Sequence, residues 1–370
     1  MKNFTVRAVK RLIYSFLLIS VIAGLPSTGV AAVASETEEE GGGTDFILHH
    51  IKDSYYWHFF DIGEHPVSLS LPVILWTDNG LVTFSSYKFH HDDEGKEVVE
   101  AGGLQFVKYH EKVYQASDVP SENGSFIKKD EKGAIENVKP FSLSITKNVA
   151  MLFLTLAVVL FIMLNVASHY KKNPKSAPKG MASVFEPIIL YVRDEIAKPN
   201  IGPKYKRFMP YLLTLFFFIW FGNLLGLLPG AANLTGNIAI TMCLALFTFI
   251  ATNLNGNKEY WKHIFATPGV PLPLLPILVP VEIIGIFTKP FALMVRLFVA
   301  ITAGHIVILS LIGLAFIFSS YAVGIASTIM VIFINIIELL VATIQAYVFT
   351  LFSSMYIGSA VAEHHHEEHH

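Results

Sequence analysis

Residues 271–315 form a long apolar run, which reads PLPLLPILVPVEIIGIFTKPFALMVRLFVAITAGHIVILSLIGLA. A second apolar run extends from Tyr321 to Ala362, and only Phe318 to Tyr321 offers a turn between the two. Each run has about 40 residues, although a helix perpendicular to a bilayer needs only about 20. Neither run is interrupted by a polar loop. The pattern therefore favours two long helices, tilted strongly in a membrane, over four packed spans.

The composition of the chain indicates that the part before these two runs also contains membrane spans. Hydrophobic residues make up 53% of the 370 residues and charged residues only 15%, outside the balance typical of soluble domains. Further apolar stretches at about 147–167, 210–229 and 237–254 predict three more spans. We expect an all-α polytopic membrane domain over residues 146–362, with about five transmembrane helices. The net charge of -2 gives no basic footprint for nucleic acid.

The first 34 residues have the layout of a secretory signal peptide. Basic residues precede an apolar stretch from Leu12 to Leu25, and Ala32-Val33-Ala34 follows as a cleavage site. The alternative is an uncleaved first helix, although this stretch is short for a span. We expect cleavage near Ala34.

Residues 35–145 are expected to form an exported N-terminal extension with some β structure. An acidic, glycine-rich linker opens it, and Asp78-Asn79-Gly80 between two alternating runs predicts a β-hairpin. The spacing of its histidines matches no tight metal-ligand motif, so surface histidines are favoured over a metal site. These histidines are His49, His50, His58, His65, His90, His91 and His110.

Basic residues indicate the orientation of the spans. The segment after the first span, residues 168–208, carries most of the lysines and arginines of the C-terminal two-thirds, which places it in the cytoplasm. The extension is then periplasmic and the C-terminus cytoplasmic. The polar tail, residues 363–370, is either a purification tag or a native end.

Ionisable side chains inside a bilayer are functional candidates, because a charge at its centre costs at least about 2.5–3.5 kcal/mol. The two long runs contain Glu282, Lys289, Arg296, His305 and Glu338, with Asn335 and Gln345 as neutral polar companions. No acidic residue lies within a helical turn or two of Arg296. Along a helix, Glu282 lies about 21 Å from Arg296 on one side and His305 about 13 Å away on the other. Arg296 thus divides two groups of proton-capable residues, and its partner is expected on another chain.

Residues from about 185 to 362 resemble subunit a of the F-type ATP synthase membrane sector. The similarity rests on several short motifs in a fixed order on a five-span layout. These are NLLGLLP at 223–229, Asn237, Lys289-Pro290, RLF at 296–298, AGH at 303–305 and QAYVF at 345–349. One departure is Val299-Ala300, where the family commonly has Gly-Asn.

The resemblance implies a role for each polar residue. Arg296 would face a rotating ring of c subunits and favour proton loss from each ring carboxylate that passes. The guanidinium stays charged and cannot relay a proton. His305 and Glu338 would form the proton uptake pair, Gln345 would lie beside the arginine, and Glu282 would serve proton release. Asn223 and Asn237 would line the uptake side, where Asn335 shares a stripe with Glu338 and Gln345.

The resemblance also implies a function. The chain would be the proton-channel stator subunit of a rotary ATP synthase in the bacterial inner membrane, coupling proton flow to ring rotation and ATP synthesis. It would be no enzyme by itself and need no cofactor or metal. Its partners would be the c-subunit ring, the b-subunit peripheral stalk, the rest of the complex and the lipid bilayer. The alternatives are a stand-alone proton-coupled transporter or channel, and a structural anchor. The choice between proton and sodium stays open.

Overall fold

The computed structural model describes residues 53–62, 65–121, 123–130, 133–172, 177–178, 180–228, 231–265, 272–318 and 321–362. The signal peptide expected over residues 1–34, the start of the extension and the polar tail lie outside these residues. The described residues form two compact units, chiefly residues 53–153 in one and residues 154–227 with 233–362 in the other.

The first unit contains short antiparallel strands in three small sheets. They pair as β1–β2, as β4–β3–β8 and as β5–β6–β7. The strands are β1 Tyr56–Ile62, β2 His65–Ser70, β3 Pro72–Thr77, β4 Gly80–Ser85, β5 Val99–Ala101, β6 Leu104–Tyr109, β7 Lys112–Gln115 and β8 Phe141–Ser142. The β structure predicted for the extension is therefore confirmed.

The predicted turn at Asp78-Asn79-Gly80 joins β3 to β4. Thr77 pairs with Gly80 across the turn, and Gly80 has a φ of 103°, a conformation that glycine adopts without strain. Alternate side chains of both strands point into a core that includes Val73, Leu75 and Phe84. Strand alternation thus gives this unit its own small hydrophobic core.

The first long helix, α1 Lys147–Lys172, begins within this unit. Its first turn is held by Asp53, whose Oδ1 accepts a hydrogen bond of 3.0 Å from the backbone N–H of Asn148. The N–H of Lys147 donates to the carbonyl of Ser54 at 2.8 Å. These contacts satisfy amides that a helix start leaves without intrahelical partners.

The second unit is helical. After α1 come α2 Met181–Tyr191, a π-helical segment Val192–Ala197, α3 Lys198–Ile201, α4 Tyr205–Gly226, α5 Ile238–Leu254, α6 Lys258–Phe265, α7 Leu275–Phe318 and α8 Tyr321–Val361. Four helical stretches of the described residues are long and apolar enough to cross a membrane, and α5 with α6, bent by 102°, gives up to five. This agrees with a membrane region of about five spans.

The two last helices confirm the prediction of two long helices. Helix α7 has 44 residues and continues through Pro280 and Pro290, and α8 has 41 residues. Arg296 of α7 contacts Phe352 of α8, whereas His305, later in α7, contacts Glu338, which is earlier in α8. The helices therefore pack antiparallel, and this pairing positions the polar residues.

Candidate functional site

A histidine and a glutamate meet where α7 packs against α8. His305 Nδ1 lies 2.5 Å from Glu338 Oε1, within hydrogen-bond distance. The Glu338 side chain is only 2% exposed, whereas that of His305 is 23% exposed. Glu338 Oε2 is also buried and has no hydrogen-bond partner among the described residues. An imidazole and a carboxyl group in this contact can pass a proton between them.

Gly304 makes room for this pair. A Cβ atom at position 304 would lie 2.9 Å from Glu338 Oε1 and 3.0 Å from its Cδ. Such distances are closer than non-bonded atoms tolerate, so a larger residue would push the carboxyl group aside. The glycine of the AGH motif thus lets the acid reach the helix beside His305.

Asn223 lies in a second buried polar cluster, formed by α4, α8 and the loop before α5. Its Nδ2 donates to the carbonyl of Ala342 at 3.3 Å, and its Oδ1 accepts from the hydroxyl of Thr235 at 2.6 Å. Ala342 is one helical turn from Glu338 on α8. Asn237 has a structural contact, because its Oδ1 caps α5 by accepting from the N–H of Ala239 at 2.9 Å.

Arg296 has a different environment from Glu338. Its side chain is exposed on α7, and its guanidinium carbon lies 4.5 Å from the centre of the Phe352 ring on α8. No carboxylate lies within ion-pair distance of it in the part of the chain that the structure describes. The charge is therefore stabilised by an aromatic face and remains available to an anion from outside.

Glu282 lies on the other side of Arg296, toward the start of α7. It is half-buried, and its charge acts electrostatically on the phenol of Tyr260 in α6. Tyr260 in turn donates to Asn253 Oδ1 at 3.2 Å. Glu282 thus belongs to a separate polar group, which contains neither His305 nor Glu338.

The remaining predicted residues lie on α8. Gln345 is half-buried and lies seven residues from both Glu338 and Phe352, which places the three on one face of the helix. Asn335 is exposed, so the structure does not bring it into the contact between His305 and Glu338.

Several polar contacts were not singled out from the sequence. The hydroxyl groups of Tyr211, Thr248 and Ser353 form a chain with distances of 2.9 and 3.1 Å, which links α4, α5 and α8. The indole of Trp220 donates to the hydroxyl of Thr343 at 3.1 Å. Hydroxyl groups within apolar helices give no sequence signal of their own, since each can bond to its own helix. No group of three metal-ligating side chains occurs among the described residues.

Comparison with known proteins gives two family matches. The family described as ATP synthase A chain matches residues 149–358. Residues 46–143 match a second family, described as a domain of unknown function (DUF8433). The extension thus corresponds to a domain family separate from that of the membrane region.

Curated relatives are similar over the membrane region. ATP synthase subunit a of Chloroherpeton thalassium is 48% identical over 235 residues, which cover 62% of this chain and 69% of the relative. That of Chlorobium phaeobacteroides is 46% identical, over 62% of this chain and 68% of the relative. A relative from Prosthecochloris aestuarii, ATP synthase subunit a 2, is 47% identical over 61% and 72% of the two chains. The chain belongs to the ATP synthase A chain family and is the proton-conducting stator subunit of an F-type ATP synthase.

Proposed function

We propose that Arg296 divides the proton route through this subunit into two paths that meet only at the rotor. The observation that carries the proposal is that an exposed membrane arginine has an aromatic contact and, among the described residues, no carboxylate within ion-pair distance. A permanent anionic neighbour would neutralise the barrier. A carboxylate that arrives on another chain pairs with the arginine only while it is present.

The uptake path in this proposal uses His305 and Glu338. Their 2.5 Å contact and the unpartnered Glu338 Oε2 support a role in accepting and passing protons, since a buried polar atom without a partner is costly to maintain. Gln345 lies on the same face of α8, between this pair and Phe352. Asn223 supports the path from the buried cluster one turn away, and Asn237 and Asn335 complete its outer part.

The release path uses Glu282. Its separation from Arg296 by fourteen residues of α7 is equivalent to about 21 Å along the helix. The neighbouring phenol of Tyr260 and its contact with Asn253 supply polar groups on that side. A continuous polar path would let protons leak, whereas a positive charge between two separate paths opposes that leak.

The partners of the subunit are other subunits of the ATP synthase complex. We propose that the exposed face of Arg296 meets the c-subunit ring and that the b-subunit stalk holds this chain against rotation. ATP is formed in F1, the catalytic part of the complex, and not in this chain. Each proton that crosses about 100 mV releases about 2.3 kcal/mol, and the ring converts this energy to torque.

The chain is a multi-pass membrane protein, and we propose an orientation for it in the bacterial inner membrane. Residues 1–34 act as a signal peptide, residues 35–145 lie in the periplasm, and residues 146–362 form the membrane domain with the C-terminus in the cytoplasm. The basic residues of segment 168–208 support this orientation.

The proposal is tested by Arg296→Ala in inverted membrane vesicles that contain the whole ATP synthase. We expect ATP-driven proton pumping to fall by about 100-fold, because removal of a preorganised charge usually has an effect of that size. Arg207→Ala is the matched control, since Arg207 is also exposed and lies 5.6 Å from the ring of Phe208. Normal pumping by Arg296→Ala would exclude the barrier role.

A further inference from the structure

Phe352 offers the Arg296 guanidinium an uncharged contact within the subunit. The ring of this half-buried phenylalanine lies 4.5 Å from the guanidinium carbon, well within the range of a cation–π interaction. Such contacts are strongest where water is excluded, as at an interface between membrane helices. The aromatic ring stabilises the cation without cancelling its charge.

The carboxylates of the two long helices are too distant to compete for this arginine. Glu338 lies fourteen residues before Phe352 on α8, and Glu282 lies fourteen residues before Arg296 on α7. Each separation corresponds to about 21 Å along a helix axis. Among the described residues of these two helices, the aromatic ring that contacts the guanidinium is that of Phe352.

A second cation and ring occur next to the first. Lys289 Nζ lies 5.7 Å from the centre of the Tyr356 ring, and the rings of Phe352 and Tyr356 are 6.1 Å apart. Lys289 is two helical turns before Arg296 on α7, and Tyr356 is one turn after Phe352 on α8. Two cations of α7 thus face two aromatic rings of α8, so the contact at Phe352 belongs to an extended arrangement.

We propose that Phe352 is a positioning residue that holds Arg296 in the interval between two successive rotor carboxylates. This inference rests on the proposed role of Arg296. When one carboxylate has left and the next has not arrived, the cation needs a partner that does not neutralise it. By stabilising this unpaired state, Phe352 lowers the barrier for transfer of the arginine from one carboxylate to the next. Loss of the contact slows rotation but leaves the positive charge in place.

The inference is tested by replacing Phe352 with 4-fluoro-, 3,5-difluoro- and 3,4,5-trifluorophenylalanine in the intact ATP synthase. Fluorine withdraws electron density from the ring face and weakens the attraction for a cation with little change of shape. We expect ATP-driven proton pumping, per assembled complex, to fall stepwise with fluorine number and by about tenfold over the series. Passive proton leak and the number of protons pumped per ATP should remain unchanged.

The matched control is the same series at Phe349. This ring is buried on α8, and no cation contacts its face among the described residues. A stepwise decline at Phe352 with less than about a twofold change at Phe349 would support a cation–π contact. Equal effects at the two positions, or none at Phe352, would overturn the inference.

Arg296→Ala in the same preparation separates this inference from the proposed function. If Arg296→Ala reduces pumping by about 100-fold while the fluorinated series at Phe352 has no effect, only the role of Phe352 is wrong. If Arg296→Ala pumps normally, the role of the arginine is wrong as well.

Discussion

The contact between α7 and α8 has two regions of opposite character. Around His305 and Glu338 the helices enclose a buried acid and hold it at 2.5 Å from a base. Around Arg296 and Phe352 they leave a permanent cation exposed against an aromatic ring. A group that carries protons needs a close partner that can accept or donate a proton, whereas a group that blocks them needs a fixed charge without a lasting counterion. The same pair of helices provides both environments.

Removal of Glu338, the buried acid beside His305, should have the largest effect on proton pumping. Glu338→Gln retains the size of the side chain and can still contact His305, but an amide cannot exchange protons as a carboxyl group does. We expect ATP-driven proton pumping to fall by about 100-fold, the lower range for loss of a positioned proton-transfer group. The pH dependence of proton uptake should change with it. Glu195→Gln, at an exposed glutamate in the π-helical segment, should pump normally. Wild-type rates and pH dependence in Glu338→Gln would remove this residue from the uptake path.

A smaller effect is expected when the acid is kept but displaced. In Gly304→Ala the new Cβ would lie 2.9 Å from Glu338 Oε1, so the carboxyl group must shift from its position beside His305. We expect pumping to fall by about tenfold, because small displacements of reacting groups reduce rates strongly. Gly313→Ala on the same helix is the control, since no atom lies within 4 Å of the Cβ position there. Similar rates in the two variants would show that the close approach at Gly304 has no functional importance.

The smallest effect is expected at Asp53, a half-buried carboxyl group outside the membrane helices. Burial raises the pKa of Asp53 above its ordinary value of 3.8, although the Asn148 N–H opposes this shift. The folded extension therefore binds the Asp53 proton more tightly than the unfolded chain does. Its stability should decline as the pH rises above 3.8 through the raised pKa. Asp53→Asn keeps a capping oxygen and should remove this trend.

The measurement for Asp53 is amide hydrogen exchange at the start of α1 in the whole protein, corrected for the intrinsic pH dependence of exchange. Asp53→Asn should change stability at neutral pH by less than about 1 kcal/mol, whereas Asp53→Ala should cost about 1 kcal/mol through loss of the cap. A wild-type extension that gains stability relative to Asp53→Asn as the pH rises would contradict the expected sign. Proton pumping should be unaffected, in contrast to Glu338→Gln.

Much of the fold follows from the sequence because its signals are local. Two uninterrupted apolar runs predict the long helices α7 and α8, and Asp78-Asn79-Gly80 predicts the turn between β3 and β4. The sequence groups His305 with Glu338 on one side of Arg296, the family resemblance implies that they form a pair, and the structure brings these side chains together. The functional roles of these residues remain predictions.

The contacts between helices could not be predicted from either helix alone. Helical periodicity placed Asn335 and Glu338 on one stripe, but packing buries Glu338 and leaves Asn335 exposed. The contact of Arg296 with Phe352 depends on the axial register of α7 against α8, which the periodicity of one helix does not determine. The same register decides that Gly304, and not Gly313, faces the acid.

Passive proton conduction shows whether Arg296 keeps the two proton paths apart. Vesicles stripped of F1 would be given a potassium-driven membrane potential, and proton uptake would be compared between the wild type, Arg296→Ala and Arg207→Ala. We expect Arg296→Ala to conduct protons passively at a rate no lower than that of the wild type, although ATP-driven pumping falls by about 100-fold. This result means that the two paths have become connected. Normal pumping by Arg296→Ala vesicles, or a block of their passive conduction, would contradict the barrier role of Arg296.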